Sequence, residues 1–185
     1  MSGYGVRVLT VRQPYAWAII HGGKGVENRT RNIAGGYRGP VAIHAGLRDD
    51  PDAWADLTAG WSLAPGTPRP PVSSLLRDVV RGAVIGVVDL VEVHDDCVER
   101  DIRRLARLYR EDPAAVTSLP DDGAGGLIGR ARTCSPWALP DQHHLILSAP
   151  RALPEPIPAR GRLGLWRPDD ALAAAIRDQL AEVAA

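Results

Sequence analysis

The composition of the 185-residue chain is that of one folded domain of ordinary size. Hydrophobic residues make up 45% of the sequence and charged residues 24%, which excludes an intrinsically disordered chain. The formal net charge is zero, so binding of nucleic acid would need a local basic patch rather than a basic protein.

The N-terminal segment and the apolar runs predict a cytoplasmic protein with no membrane partner. Residues 1–10 lack the charged start, apolar run and cleavage site of a secretory signal. The longest apolar run, residues 83–93, is interrupted by Asp89 and Glu92 and is far too short to span a bilayer.

The cysteines and histidines give no metal-binding pattern in the sequence. Cys97 and Cys134 form no CxxC pair, so neither a zinc knuckle nor a disulfide framework is indicated. His44, His143 and His144 have no HxxxH spacing and no acidic ligand beside them, and lone histidines on strands are more often hydrogen-bonded core or rim residues. We therefore expect no metal and no other cofactor.

Hydrophobic periodicity and the positions of Gly and Pro predict the elements in chain order. Strands are predicted at residues 6–11, 24–29, 41–46, 82–94, 143–149 and 162–166, and helices at residues 14–21, 49–59, 73–80, 98–110 and 168–183. Residues 61–71 and 111–139 are predicted loops, and the proline-studded segment 151–158 is a predicted turn.

Residues 82–94 carry the strongest strand signal. Both alternating sets are apolar, which predicts a central strand buried on both faces or one wrapped in a barrel. Asp89 falls within one apolar set, so its carboxylate should have a partner. Short strands outnumber helices, and regular helices do not separate them. The sequence therefore predicts an α+β fold, a small mixed or antiparallel β-barrel with peripheral helices and long loop insertions.

Lys24 is the single lysine among 22 Lys and Arg residues. A lysine ammonium loses its proton readily on burial and can act as a base or nucleophile, whereas a guanidinium cannot. Either chance composition or a chemical requirement accounts for this residue. Its place just past a predicted helix, at the entry to a strand, makes it a candidate for a functional site.

Five blocks of sequence together resemble the ASCH family, the activating signal cointegrator homology domain. The blocks are residues 9–16 (LTVRQPYA), 22–29 (GGKGVENR), 37–40 (YRGP) with 43–45 (IHA), 86–90 (GVVDL) and 161–166 (GRLGLW). The resemblance implies a single PUA-like β-barrel domain over residues 1–167, with insertions at about 47–80 and 112–139, followed by a C-terminal helix at 168–185.

The resemblance implies an RNA- or nucleotide-binding protein whose partner is RNA, single-stranded DNA or a modified nucleoside. Some bacterial members are hydrolases that remove an acyl group from N4-acetylcytidine with a lysine, a threonine and a glutamate. Lys24 matches the lysine, and Asp89 takes the place of the glutamate. Glu27 stands where the threonine is expected, so the hydroxyl nucleophile is missing. Hydrolysis of a modified nucleoside or of RNA remains the alternative function.

The charged residues around Lys24 predict a cleft at the barrel mouth. Asp89 is the predicted carboxylate partner of Lys24, and Glu27 and Arg29 would complete the cluster. In a hydrolase the catalytic residues would be Lys24, Glu27 and Asp89, with a carboxylate as general base and a cation stabilising developing negative charge. A purely structural salt-bridge cluster is the alternative.

Arginines interleaved with aromatic residues predict contacts to phosphates and unstacked bases. The predicted ligand-binding residues are Arg12, Lys24, Arg29, Arg31, Tyr37 and Arg38. Trp17 is predicted to lie in the core. The arginine-rich helix 98–110 also carries acidic residues, which is typical of an ordinary solvated face. The segment GGKG lacks the Ser or Thr of a Walker loop.

Overall fold

The computed structural model describes residues 5–58, 79–121, 123–128 and 131–183. The elements, in chain order, are β1 Arg7–Gln13, α1 Tyr15–His21, β2 Val26–Arg29, β3 Gly39–Asp49, α2 Pro51–Thr58, β4 Ala83–His94, α3 Cys97–Glu111, α4 Pro113–Thr117, β5 His143–Pro158, β6 Leu165–Trp166 and α5 Asp170–Val183. Within these ranges, every helix is too short or too polar to cross a bilayer.

The strands form a six-stranded mixed sheet in the order β2-β5-β4-β3-β1-β6. Strands β1 and β3 run parallel, whereas β3 with β4 and β1 with β6 are antiparallel. Each predicted strand has a counterpart in this sheet, and helices accompany it. The predicted α+β class with a mixed sheet is therefore confirmed.

Strand β5 is longer than the sequence predicts, because it continues through the segment predicted as a turn. Pro154, Pro156 and Pro158 occupy alternate positions of this extension. Backbone N–H groups point alternately to the two sides of a strand, so prolines at every second residue remove donors from one side only. The other side keeps its donors, and the extended conformation is retained.

Long loops were predicted at residues 111–139 and 61–71. Helix α4 lies within the predicted loop 111–139, and the side chain of Asp112 caps it by accepting the Ala115 N–H at 3.1 Å. The Asp112-Pro113 pair is a helix-start signal that the loop prediction overlooked. The predicted loop 61–71 and most of the predicted helix 73–80 lie outside the described residues.

The described residues of Met1–Gly25, Ile33–Glu92 and Ile146–Ala185 form one compact unit, the sheet unit. Aliphatic side chains of β1, β3 and β4 make its core, and Ile176 of α5 packs against them. Strand β4 is buried on both faces only as far as Val88, since Val91 is 51% exposed. The prediction of two-sided burial therefore holds for the first half of this strand.

The described residues of Val26–Asn32 and Val93–Leu145 form a second compact unit, the helical unit. Its apolar core centres on Leu105, Val116 and Ala131. Three arginines of α3 pair with acidic neighbours: Arg100 and Arg103 with Asp96, and Arg104 with Asp101. For these three, the structure agrees with the prediction of an ordinary charged helix face.

Candidate functional sites

The turn after α1 places Lys24 in the interior of the sheet unit. Gly23 has a positive φ of 72°, a conformation that favours glycine, and the Lys24 N–H donates to the Ala18 carbonyl at 3.0 Å. The Lys24 side chain is only 2% exposed, and its Nζ lies 5.1 Å from the centroid of the Tyr15 ring. A desolvated cation–π contact of this kind compensates part of the cost of burying an ammonium.

Helix α1 is fixed at its start by Gln13, which is buried. The Gln13 Oε1 accepts the Trp17 N–H at 3.0 Å, and its Nε2 donates to the Val80 carbonyl at 2.8 Å. Trp17, which was predicted to lie in the core, is partly buried and packs against the buried Trp54 and Val79. The block LTVRQPYA therefore fixes the position of α1, the helix that carries Tyr15.

In the helical unit, strand β2 places Glu27 and Arg29 on one face, because side chains two residues apart point the same way. The Arg29 guanidinium lies 3.0 Å from Glu27 Oε1, and Glu27 is 7% exposed. These two predicted site residues therefore form an ion pair with each other. Arg31 follows the strand and is exposed.

Asp89 has a partner, as its place in an apolar strand requires. That partner is Arg151, whose guanidinium lies 2.6 Å from Asp89 Oδ1. The sequence predicted Lys24 as the partner of Asp89. It did not indicate Arg151, which falls in the predicted turn 151–158 and becomes a strand residue only through the extension of β5.

Tyr37 is buried and hydrogen-bonded rather than exposed for stacking. Its hydroxyl donates to the Pro40 carbonyl at 2.6 Å, and the Arg7 guanidinium lies 5.3 Å from the ring centroid. Burial raises the pKa of the Tyr37 phenol, and the nearby Arg7 charge opposes this. Arg38 donates to the Tyr37 and Gly35 carbonyls at 2.6 and 3.2 Å and thereby closes its own turn.

The predicted ligand-binding residues of the sheet unit do not all meet. Arg7 pairs with Val41 and Gln13 with Asp49 in the parallel β1–β3 ladder, so Tyr37 and Arg12 lie toward opposite ends of it. Five residues of strand separate Arg7 from Arg12, about 17 Å at the usual rise. Arg12 lies 4.0 Å from Asp50 at its end.

A cavity of about 330 Å³ opens at the Tyr37 end of the sheet unit, and we call it the basic cavity. Its lining residues are Gly5, Val6, Arg7, Tyr37, Arg167, Pro168, Asp170, Ala173 and Arg177. Arg167 and Arg177 were not among the predicted ligand-binding residues. Arg167 follows β6, and the antiparallel pairing of Val8 with Trp166 brings it to the Arg7 end of β1. The packing of α5 brings Arg177 to the same cavity.

The helical unit contains a cluster of potential metal ligands that the sequence analysis also missed. Donor atoms of His94, Cys97, Cys134 and His144 all lie within 4.8 Å of one another. A neighbouring cavity of about 420 Å³ is lined by the first three of these residues and by several arginines. The pair His94-x-x-Cys97 before a helix is the one local signal that could have indicated the cluster.

No protein-family model matches the chain. Among solved structures, the chain is similar to a point mutant of the ZmASCH protein from Zymomonas mobilis. The two share 14% identical residues with a TM-score of 0.45, over 94% of this chain and 98% of that chain. That protein carries the name of the family that the five sequence blocks resemble.

Proposed function

We propose that the protein binds RNA or a nucleotide through the basic cavity. The observation that carries this proposal is the grouping of Arg7, Arg167 and Arg177 around one cavity in a chain with zero net charge. Among the described lining residues, three arginines face the single carboxylate of Asp170, a local excess of two positive charges. Guanidinium groups bind phosphate oxygens in a bidentate fashion, so this grouping suits a phosphate-bearing ligand.

The volume of the cavity and the Tyr37 ring within it also support a phosphate-bearing ligand. A volume of about 330 Å³ is at the lower end of the range for small-molecule pockets and can take one nucleotide. The Tyr37 ring lies beneath the Arg7 guanidinium, and its hydroxyl is anchored on Pro40. Tyr37 therefore orients Arg7 toward a phosphate, a different role from the base stacking that the sequence suggested.

The test is binding of a short single-stranded RNA, measured by fluorescence anisotropy over a range of salt concentrations. We expect Arg167→Ala and Arg177→Ala each to weaken binding by about threefold to tenfold and to reduce the salt slope by roughly one phosphate contact. Arg48→Ala is the matched control, since it removes the same charge from an exposed position of β3 near the Gln13 end of the β1–β3 ladder, away from Arg7.

Equal weakening by Arg177→Ala and Arg48→Ala would exclude the basic cavity as the binding site. Parallel titrations with single-stranded DNA of the same sequence and with a free nucleotide distinguish the three ligand classes. RNA-selective binding points to contacts with the 2′-hydroxyl, whereas equal binding of both strands points to phosphate contacts alone.

A second candidate function is hydrolysis of a modified nucleoside such as N4-acetylcytidine, or of RNA. The favouring observation is the burial of Lys24, because an ammonium in a water-excluded site stabilises negative charge more strongly than one in water. In such a reaction Lys24 would hold developing negative charge, and Asp89 of the same unit would act as general base.

Turnover of N4-acetylcytidine by the purified protein, followed by chromatography, tests this function. We expect Lys24→Met to lower the rate by at least about a hundredfold, because it removes the ammonium that would stabilise the oxyanion, whereas arginine would keep the charge. Asp89→Asn tests the general base. Circular dichroism checks that each variant is folded, and equal rates in Lys24→Met and the unmodified protein exclude the function.

A further inference from the structure

We propose that His94, Cys97, Cys134 and His144 form a structural zinc site within the helical unit. The four residues come from three segments of the sequence. His94 is the last residue of β4, Cys97 the first of α3, Cys134 lies in the segment before β5, and His144 lies in β5. Their donor atoms are mutually within 4.8 Å, and neither cysteine is in a disulfide.

Two nitrogen–sulfur distances in the cluster agree with the ligand–ligand distance of a tetrahedral zinc site. The His144 Nδ1 lies 3.4 Å from the Cys97 sulfur and 3.5 Å from the Cys134 sulfur. Zinc bonds of about 2.3 Å to sulfur and about 2.0 Å to nitrogen, at tetrahedral angles, place sulfur and nitrogen about 3.5 Å apart. The three side chains therefore already have the spacing that one bound zinc ion would impose.

The tautomer of His144 leaves the required nitrogen available for a metal. Its Nε2 lies 2.7 Å from the Leu139 carbonyl, which can only accept, so Nε2 carries the proton. The single lone pair of Nδ1 then faces both sulfurs. One lone pair can accept a good hydrogen bond from only one thiol, whereas a single metal ion could bind Nδ1 and both sulfurs. A histidine that donates its second nitrogen to a backbone carbonyl is the usual arrangement of a metal ligand.

Asn28 orients this histidine through the Leu139 segment. The Asn28 Oδ1 accepts the Leu139 N–H at 3.0 Å, and its Nδ2 donates to the Trp137 carbonyl at 2.8 Å. The Asn28 side chain thereby fixes the segment whose Leu139 carbonyl accepts the Nε2–H of His144. Asn28 belongs to the block GGKGVENR, so part of that block supports the cluster.

The ligand set favours zinc and a structural role. Two sulfurs and two imidazole nitrogens are the ligands of tetrahedral zinc sites, whereas magnesium and calcium prefer oxygen. Four protein ligands leave no open position for a substrate, which is typical of structural rather than catalytic zinc. Cys97 opens the 15-residue helix α3, where the helix dipole favours a thiolate.

The test is the zinc content of the full chain, purified from zinc-supplemented medium and measured by mass spectrometry. We expect about one zinc ion per chain, falling below about a tenth in Cys97→Ser and in Cys134→Ser. Cobalt added to the zinc-free protein should give the intense visible absorption of tetrahedral Co²⁺ and a sulfur charge-transfer band. His143→Gln is the matched control, since it removes the histidine next to His144 and should leave the metal bound.

Because loss of a ligand can also unfold the protein, His144→Cys provides a second test. A site of three cysteines and one histidine also binds zinc, so this variant should keep the metal and shift the cobalt spectrum. The proposal is overturned if the unmodified protein binds less than about a tenth of an equivalent of zinc. Full retention of zinc in both serine variants, an iron–sulfur chromophore, or a Cys97–Cys134 disulfide in the unmodified protein would also overturn it.

Discussion

The two compact units of the chain are stabilised by different kinds of interaction. In the sheet unit, residues such as Val8, Ile43 and Val84 are fully buried, and each such side chain contributes about 1.5–3 kcal/mol on transfer from water. In the helical unit, Leu105, Val116 and Ala131 form an apolar core with partly buried neighbours, and a cluster of two cysteines and two histidines lies within the same unit. The sheet unit therefore depends on apolar burial, whereas in the helical unit the proposed zinc site adds to a smaller apolar core.

This difference decides which perturbation should affect which unit. Small proteins with a limited apolar core commonly need a metal or disulfides for stability. A structural metal supplies folding free energy directly, because its ligands are brought together only in the folded state. We therefore expect chelators to act on the helical unit and packing changes to act on the sheet unit.

Removal of the metal should have the largest effect. Treatment of the zinc-loaded chain with a strong chelator should lower hydrogen-exchange protection in α3 and α4 by at least about a hundredfold, because structural zinc contributes about 10 kcal/mol in small zinc domains. Protection in β3 and in β4 as far as Val88 should change by less than about twofold. Mass spectrometry of peptic fragments measures both regions in one experiment.

Chelator already saturated with zinc is the control for that experiment. Equal loss of protection in both units would show that the units do not unfold separately. Unchanged protection in α3 would show that the apolar core of Leu105, Val116 and Ala131 is sufficient on its own.

A packing change in the sheet unit should have the next largest effect. An alanine Cβ at Gly86 would lie 2.5 Å from Ile20 Cδ1 and 2.8 Å from the Arg151 carbonyl oxygen. The carbonyl is backbone and cannot move aside cheaply, so we expect Gly86→Ala to lower the free energy of unfolding by about 1–3 kcal/mol. Urea denaturation monitored by circular dichroism measures the loss.

Gly36→Ala is the matched control in the same unit. Nothing lies within 4 Å of a Cβ built at Gly36, so the same substitution should change stability by less than about 0.5 kcal/mol. If Gly86→Ala is as mild as Gly36→Ala, α1 packs less tightly on β4 than the structure indicates.

Local sequence patterns predicted the strands of the sheet unit well because the spacing of apolar residues within one segment is enough to indicate a buried strand. The apolar run 82–94 predicted β4, and the isolated charge of Asp89 predicted an ion-pair partner. The identity of that partner, Arg151, depends on the extension of β5, where the prolines suggested a turn. The proline-rich composition of this segment was misleading because pairing with adjacent strands keeps it extended.

The sites of both units depend on residues that are distant in sequence, and periodicity carries no information about them. Arg167 reaches the Arg7 end of β1 through the β1–β6 pairing, and Arg177 through the packing of α5. Cys97 and Cys134 lack any CxxC spacing because β4, α3 and β5 bring the ligands together from separate segments. Lys24 was singled out from composition, from its place after a predicted helix and from the family resemblance, and it is buried.

The smallest effect should come from the ion pair of Asp49 and Arg81 in the sheet unit. The Arg81 guanidinium donates two hydrogen bonds of 2.7 Å to the Asp49 carboxylate, and the Trp54 indole donates a third at 3.1 Å. Both charged side chains are about 30% exposed, so screening by water reduces the net contribution. We expect Asp49→Asn to lower the free energy of unfolding by about 1 kcal/mol at neutral pH, less than the change at Gly86.

The pH dependence of that loss separates charge from packing. The hydrogen bonds from Arg81 hold the pKa of the Asp49 carboxyl below its ordinary value of 3.8, although burial opposes them. A lowered pKa in the folded state means that the stabilisation is present above pH 3.8 and is lost as the pH falls through the folded-state pKa. Urea denaturation of Asp49→Asn and the unmodified protein should therefore differ at neutral pH and converge in acid. The exposed Asp178→Asn serves as the control for charge removal, and a difference that persists in acid would assign the loss to packing around Trp54. In that case polar contacts would add little to the apolar core of the sheet unit, and the contrast with the helical unit would be sharper.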